Sequence, residues 1–260
     1  DWHLNNYDYL ANQLMSTETD DRNSVGVLAR AGMVLRTLGA EPGGLSLGQI
    51  AKQIGLPRST VQRLVSGLEA EGLVDVGTGA GQIKLGSEFL RLAQIARPKV
   101  LDRLRPIMVE LSAETGETTD LSMVRRDELF FVDQVVGSER LLAVSHIGDS
   151  FPLYCTSAGK AYLAEQSLDM AERLIGTTYP RHTPNTKVTL NALADEFASI
   201  RADGVGIDRE EYTLGICAIG ISFQDRPGEW FGLSVPLPVQ RFEEKRALVT
   251  RRLLDIKANL

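Results

Sequence analysis

Cysteine and histidine are scarce: the 260 residues hold two of the first, Cys155 and Cys217, and three of the second. The cysteines stand far apart and in no metal-like spacing, which excludes a disulfide framework and a cysteine-rich zinc module. Apolar runs are short. None approaches the ~18 residues of a membrane span, and no secretory signal pattern opens the chain, so a cytoplasmic location and no membrane partner are expected. An excess of basic residues is lacking too: 28 Lys/Arg face 34 Asp/Glu, a net charge of −6, and the chain as a whole is no basic coat for nucleic acid. The 43% hydrophobic content is that of a globular protein, and the length favours two domains over one.

The charge is unevenly spread. Residues 24–97 carry eight Lys/Arg against five Asp/Glu, residues 98–260 nineteen against twenty-four, and residues 1–23 one against five. A small basic module joined to a larger acidic one suits a nucleic-acid reader with a separate regulatory domain. Residues 1–23 read as a tail.

The basic module has a legible interior. A first helix is expected over Val25–Leu38, capped by Ser24, with Leu28, Ala31, Leu35 and Leu38 inward. Pro42, Gly43 and Gly44 stop it, and a second helix starts after Ser46 with Leu47, Ile50, Ala51 and Ile54 as its stripe. Gly55 supplies a turn. A third helix opens at Pro57-Arg58 and ends at Glu71-Gly72. Its residues Val61, Leu64, Val65 and Leu68 recur at helical spacing, which leaves Arg58, Ser59, Thr60, Gln62, Arg63 and Ser66 to face outward. Those types donate to phosphates and read base edges, so this is a helix-turn-helix reader of double-stranded DNA. Two short strands, 73–76 and 82–85, around the glycine-rich tip 77–81 make the wing of a winged helix over 24–85. The glycines are no dinucleotide fingerprint, because a strand and not a helix follows them. Residues 86–97 form an amphipathic linker helix suited to a dimer contact.

From Pro98 onward the pattern is α+β. Helices are expected over 101–115, 157–166, 190–203 and 241–260, and strands over 118–125, 129–136, 140–147, 206–211, 217–224 and 230–236, with the helices on one side of an antiparallel sheet.

Several motifs in order resemble the IclR-type transcriptional regulators. They are Leu47-Gly-Gln-Ile-Ala51 with Gly55-Leu-Pro-Arg-Ser-Thr-Val-Gln-Arg-Leu64, Phe151-Pro-Leu153, Ser157-Ala-Gly-Lys-Ala-Tyr-Leu-Ala164, Thr183-Pro-Asn-Thr186, Asp208 with Glu210-Glu211, and Gly215-Ile-Cys-Ala-Ile219. The resemblance covers nearly all of 24–260. It implies a winged helix, a linker helix and a GAF/profilin-like effector domain over 98–260, acting as a homodimer or dimer of dimers on a palindromic operator. Carried over by motif, the effector-binding positions are Ala143, Ser157, Ala158, Asp208, Cys217 and Ser234. The chain departs from the family pattern at Gly220-Ile221 and at Pro236.

Chemistry of other kinds is thinly supported. Ser157-Ala-Gly-Lys160 spells the S-x-x-K nucleophile motif, but the Ser-Asp-Asn and Lys-Thr-Gly elements that accompany it are missing. The start of that helix suits an anion instead, such as a carboxylate effector. Cys155 and Cys217 read as buried small hydrophobes, and His146, Asp208 and Cys217 as a remote metal set. No catalytic residue, metal or cofactor is expected. The chain reads as a ligand-responsive regulator, repressor or activator, of a catabolic or small-molecule operon, with a small organic or aromatic acid as effector. The alternatives are a small-molecule enzyme, or a protein-interaction module whose winged helix does not bind DNA.

Overall fold

The computed structural model describes residues 22–77 and 82–260; most of the expected tail and the tip of the expected wing lie outside them. The chain divides into two compact units that meet at Arg97/Pro98.

In the first unit, α1 (Arg22–Gly39), α2 (Leu47–Ile54) and α3 (Arg58–Ala70) are followed by a hairpin of β1 (Val74–Val76) and β2 (Ile83–Leu85) and by α4 (Glu88–Ala96). Ser46 caps α2 reciprocally: its hydroxyl accepts from Gln49 N, and the Gln49 side chain accepts from Ser46 N at 2.8 Å. Gly55 takes a left-handed φ of 68° between α2 and α3, which a side chain would resist. Val34, Leu38, Ile50, Val61, Val65, Leu68, Val74 and Ile83 close a common core.

Two details depart from the periodicity. Helix α1 starts at Arg22, so Ser24 lies within it and does not cap it. Leu28 is 74% exposed, while Val34 is fully buried in its stead. Val27 points inward by angle yet is also half exposed.

In the second unit a six-stranded sheet runs in the order β5-β4-β3-β8-β7-β6. Its strands are β3 (Thr119–Arg125), β4 (Glu128–Val135), β5 (Ser150–Pro152), β6 (Gly206–Arg209), β7 (Ile216–Arg226) and β8 (Glu229–Pro238), all antiparallel. Helices cover both faces, not one. On one side α5 (Val100–Thr115) and α9 (Val239–Ala258) pack on Ile219, Ile221, Leu233 and Val235. On the other lie α6 (Ser157–Glu165), α7 (Leu168–Ile175) and α8 (Leu190–Asp203) with Leu153, Tyr154 and Leu163. Helix α7, capped by Ser167 on Met170 N, was not anticipated from periodicity.

The alternation along β7 and β8 explains this two-sided arrangement. Large residues point to α5 and α9, while Gly220, Ser222, Gly232 and Ser234 leave the other face shallow enough for α6 to lie directly on the sheet. A methyl on Gly206 would fall 2.1 Å from Ser157 O, and one on Gly220 2.8 Å from Ala158 N. Both are backbone atoms that cannot step aside. Gly206→Ala is expected to cost on the order of 1–3 kcal/mol through overpacking, read as a lowered urea midpoint, and an unchanged midpoint would refute the contact.

The expected strand 140–147 is absent. Pairing with β4 begins only at Gly148 and Asp149, which bond Phe131 at 2.9 Å each. Before that, side chains take the backbone acceptors: Arg241 donates to Leu141 O and Gln134 to Ser145 O. The segment is an irregular strap, with Leu141, Val144 and Ile147 exposed.

Candidate functional site

Two surfaces carry the predicted chemistry. On α3 the apolar side is sealed into the core, and Arg58, Ser59, Gln62, Arg63 and Ser66 stand exposed on the other; Thr60 is half-buried at the border. Gln62 donates to Ser66 Oγ at 3.5 Å, one turn on. Neither Arg58 nor Arg63 has an acidic partner among the described residues, so both guanidinium groups are available to phosphates or guanine edges.

The second surface is the sheet face beneath α6. Ser157, Ala158, Asp208 and Ser234 are brought together there. Ser234 pairs with Gly220 across β8 and β7, and the Ser157 hydroxyl lies over Gly220. Asp208 pairs with Ala218, two residues along the same face. Thr156, at the start of α6, turns its hydroxyl to Pro152 O at 2.8 Å, so no side chain caps the first turn. Ala143, on the strap itself, is buried. Cys217 is set apart: it pairs with Leu237 and belongs to the core with α5 and α9, on the opposite face. It borders a separate cleft of about 460 Å³ between β6 and α9, which it shares with Arg209 and Phe242 and with none of the other five positions.

The same face holds residues that motif reading missed. Asp120, 1% exposed, lies opposite Ser234 in the β3–β8 ladder. Its carboxylate accepts from Gln134 Nε2 at 2.7 Å and Ser145 Oγ at 3.1 Å. Burial, against these hydrogen bonds, pushes its pKa up to about 6. Asp208 accepts from Glu211 N at 2.7 Å, and burial pushes it up to about 7. Period-2 alternation over 118–125 is the only signal that could have marked Asp120 as inward.

The S-x-x-K residues do not form a nucleophile and base. Lys160 is 1% exposed, and its ammonium donates to Glu196 at 2.8 Å and to Glu211. Burial alone would lower its pKa, but the two carboxylates outweigh that and leave it raised. Burial likewise raises both thiols, Cys217 to about 11, so neither is a reactive thiolate. His146 faces Asp149 on the exposed strap and does not converge with Asp208 and Cys217; among the described residues no group of His, Cys, Asp and Glu is placed to hold a metal. Nor is any described helix long and apolar enough to cross a membrane.

The family comparison decides what these surfaces belong to. The model of the bacterial transcriptional regulator IclR C-terminal domain matches residues 92–258, and that of the IclR helix-turn-helix domain matches 27–76. The chain belongs to the IclR family. As a member it is a ligand-responsive, DNA-binding transcriptional regulator with an N-terminal helix-turn-helix and a C-terminal antiparallel-sheet domain. It is 44% identical to the HTH-type transcriptional regulator Rv1719 of Mycobacterium tuberculosis, over 92% of this chain and 93% of that one. Identity to TtgV of Pseudomonas putida is 33%, over 91% and 90% of the two chains. The fold matches that of an IclR homologue of Microbacterium hydrocarbonoxydans crystallised with 4-hydroxybenzoate, with a TM-score of 0.75 at 22% identity, covering 90% of this chain and 98% of that one.

Proposed function

We propose that this IclR-family regulator controls a catabolic or small-molecule operon in the cytoplasm, without catalysis of its own, and that its effector is a small organic or aromatic acid. The observation that carries the reading is the division of α3 into a face sealed in the core and a face of exposed Arg58, Ser59, Gln62, Arg63 and Ser66. Arginine contacts to phosphate release counterions, so affinity for the upstream region of its own operon falls steeply with salt. Arg58→Ala and Arg63→Ala are each expected to weaken binding and to reduce the slope of log K against log salt by about one where the side chain meets phosphate. Fluorescence anisotropy between 50 and 300 mM salt measures both, and an unaltered slope and affinity in both variants would exclude the α3 face.

The effector reading rests on the uncapped first turn of α6 beside Ser157, Ala158, Ser234 and Asp208. A carboxylate suits that helix start, and a ligand confined to the folded state raises thermal stability by mass action, by about 2.7 kcal/mol at a hundred times its Kd. A thermal-shift screen of small carboxylates and phenolic acids tests the class, and recovery of the ligand unchanged tests the absence of turnover.

Assembly as a dimer, or dimer of dimers, on a palindromic operator is proposed from α4. This helix has no buried residue, and Leu90 and Ile95 are 73% and 70% exposed. Large apolar side chains left this exposed favour a protein partner over water. Leu90→Glu with Ile95→Glu is expected to lower the mass measured by light scattering; an unchanged oligomer would assign the contact elsewhere.

A further inference from the structure

Among the buried acids of the second unit, Asp120 shares with Asp208 the absence of a bonded counter-charge, and Asp208 has backbone N–H groups as its donors. Glu117 is held by Arg241 and Lys245, Glu211 by Lys160, and Asp133 by Arg105. Asp120 is as deeply buried as they are but has only neutral partners, the Gln134 amide and the Ser145 hydroxyl. A buried carboxylate without a counter-charge is costly to keep. Packing of the fold gives no reason for it, since Leu121 and Leu233 beside it already fill the opposite face of the sheet.

Its position supplies a reason. Asp120 lies opposite Ser234 on the face that α6 covers, and Ser145, which bonds it, is on the strap two residues from Ala143. Directly opposed residues on one face bring their Cβ atoms to about 4.5–5.5 Å. A molecule between the strap and Ser234 therefore meets this carboxylate. From Asp120 through Ser234 to Gly220, below Ser157, there are two strand spacings, about 10 Å in all. A single ring with a hydrogen-bonding group at each end is shorter than that span, which leaves room for its hydrogen bonds.

We propose that Asp120 is a specificity-determining residue of the effector site, selecting acids that carry a hydroxyl or another hydrogen-bond donor at the end remote from their carboxylate. The proposal rests on the effector reading above. The donor replaces the Ser145 hydroxyl on Asp120 or adds to it, because a carboxylate offers more acceptor positions than its two present partners use. An effector with a second carboxylate at that end meets like charge in a low-dielectric site and is rejected. Ionised at pH 8, above the value of about 6 to which burial raises it, Asp120 acts there as an acceptor only.

Calorimetric titration of the full chain at pH 8 with 4-hydroxybenzoate, its near-isostere 4-fluorobenzoate and terephthalate tests this. The hydroxyl compound is expected to bind roughly tenfold or more tightly than the fluoro compound, as a hydrogen bond to a charged group implies, and terephthalate not to bind. In Asp120→Asn, which keeps the shape and gains an N–H donor, the hydroxyl preference should shrink and terephthalate should gain affinity. Equal binding of the hydroxyl and fluoro compounds to the wild-type chain overturns the role of Asp120 while leaving the aromatic-acid reading intact. That comparison needs no variant to fold. Absence of binding by all three overturns both, and a preference unchanged in folded Asp120→Asn overturns the assignment to this residue.

Discussion

Lys160→Met is expected to destabilise the effector domain by about 3–5 kcal/mol, the cost of removing one member of a buried ion pair. The ammonium is 1% exposed and bonds Glu211, itself 1% exposed, and Glu196. Without it, Glu211 keeps a charge in the interior with only Lys187, at 3.8 Å, left to face it, and its Oε2 already has no hydrogen-bond partner. Glu196 is less affected, being part-exposed and bonded to Lys187 at 2.6 Å. Such a loss is a large fraction of the 5–15 kcal/mol that ordinary domains have in reserve. Urea unfolding followed by circular dichroism measures it, and the double variant Lys160→Met/Glu211→Gln should recover part of the loss, since the orphaned charge goes with its partner. A single variant as stable as wild type would show the triad to be dispensable. One consequence bears on chemistry: an ammonium tied to two carboxylates is no general base for Ser157, which removes the physical ground for an S-x-x-K enzyme.

How much of this was legible beforehand divides along the distance between partners. The helix-turn-helix depends on local signals: the Ser46/Gln49 capping box, the left-handed Gly55 and the spacing of Val61, Val65 and Leu68 all act within a few residues. These were readable, as were the strands that follow a strict alternation. The strap at 140–147 was misread as a strand because its backbone partners are chosen by side chains far away, Gln134 and Arg241. No periodicity encodes that. The two-sided packing of the sheet was hidden for a related reason. Gly206, Gly220 and Gly232 look like turn residues in a string, and only the sheet register shows that they make room for one helix. At the candidate site, motif correspondence located Ser157, Ala158, Asp208 and Ser234 on one face but put Cys217 with them, although strand parity turns its side chain the other way. Asp120 carries no motif. Its significance is burial without a counter-ion, a property of packing and not of spelling.

Asp208→Asn is expected to stabilise the protein above neutral pH and to do little in acid. Burial raises the Asp208 carboxyl from 3.8 to about 7, with the Glu211 and Tyr212 backbone N–H groups pulling the other way. The native state therefore holds a proton that the unfolded chain releases at lower pH. For an acid with a raised folded pKa, stability is fully present below about pH 4, falls as pH rises towards 7, and is level beyond that. The shift corresponds to about 4 kcal/mol at 1.36 kcal/mol per unit. Asparagine cannot ionise and so escapes that loss, while its carbonyl can still accept from Glu211 N. Its amide hydrogens need an acceptor that the site does not clearly supply, which trims the gain to roughly 2–3 kcal/mol. The informative quantity is the difference between variant and wild type, measured by urea unfolding at pH 4.5 and at pH 8: it should grow by about 3 kcal/mol between the two, because the cost of the amide hydrogens is the same at both and cancels. A difference independent of pH would mean that Asp208 is ionised throughout and that the cationic Lys160 nearby, not burial, governs its charge. If the difference grows as stated, Asp208 and Asp120 are two proton-holding carboxyls on one sheet face, and any anionic effector seated between them should bind more tightly as the pH falls from 8 to 6.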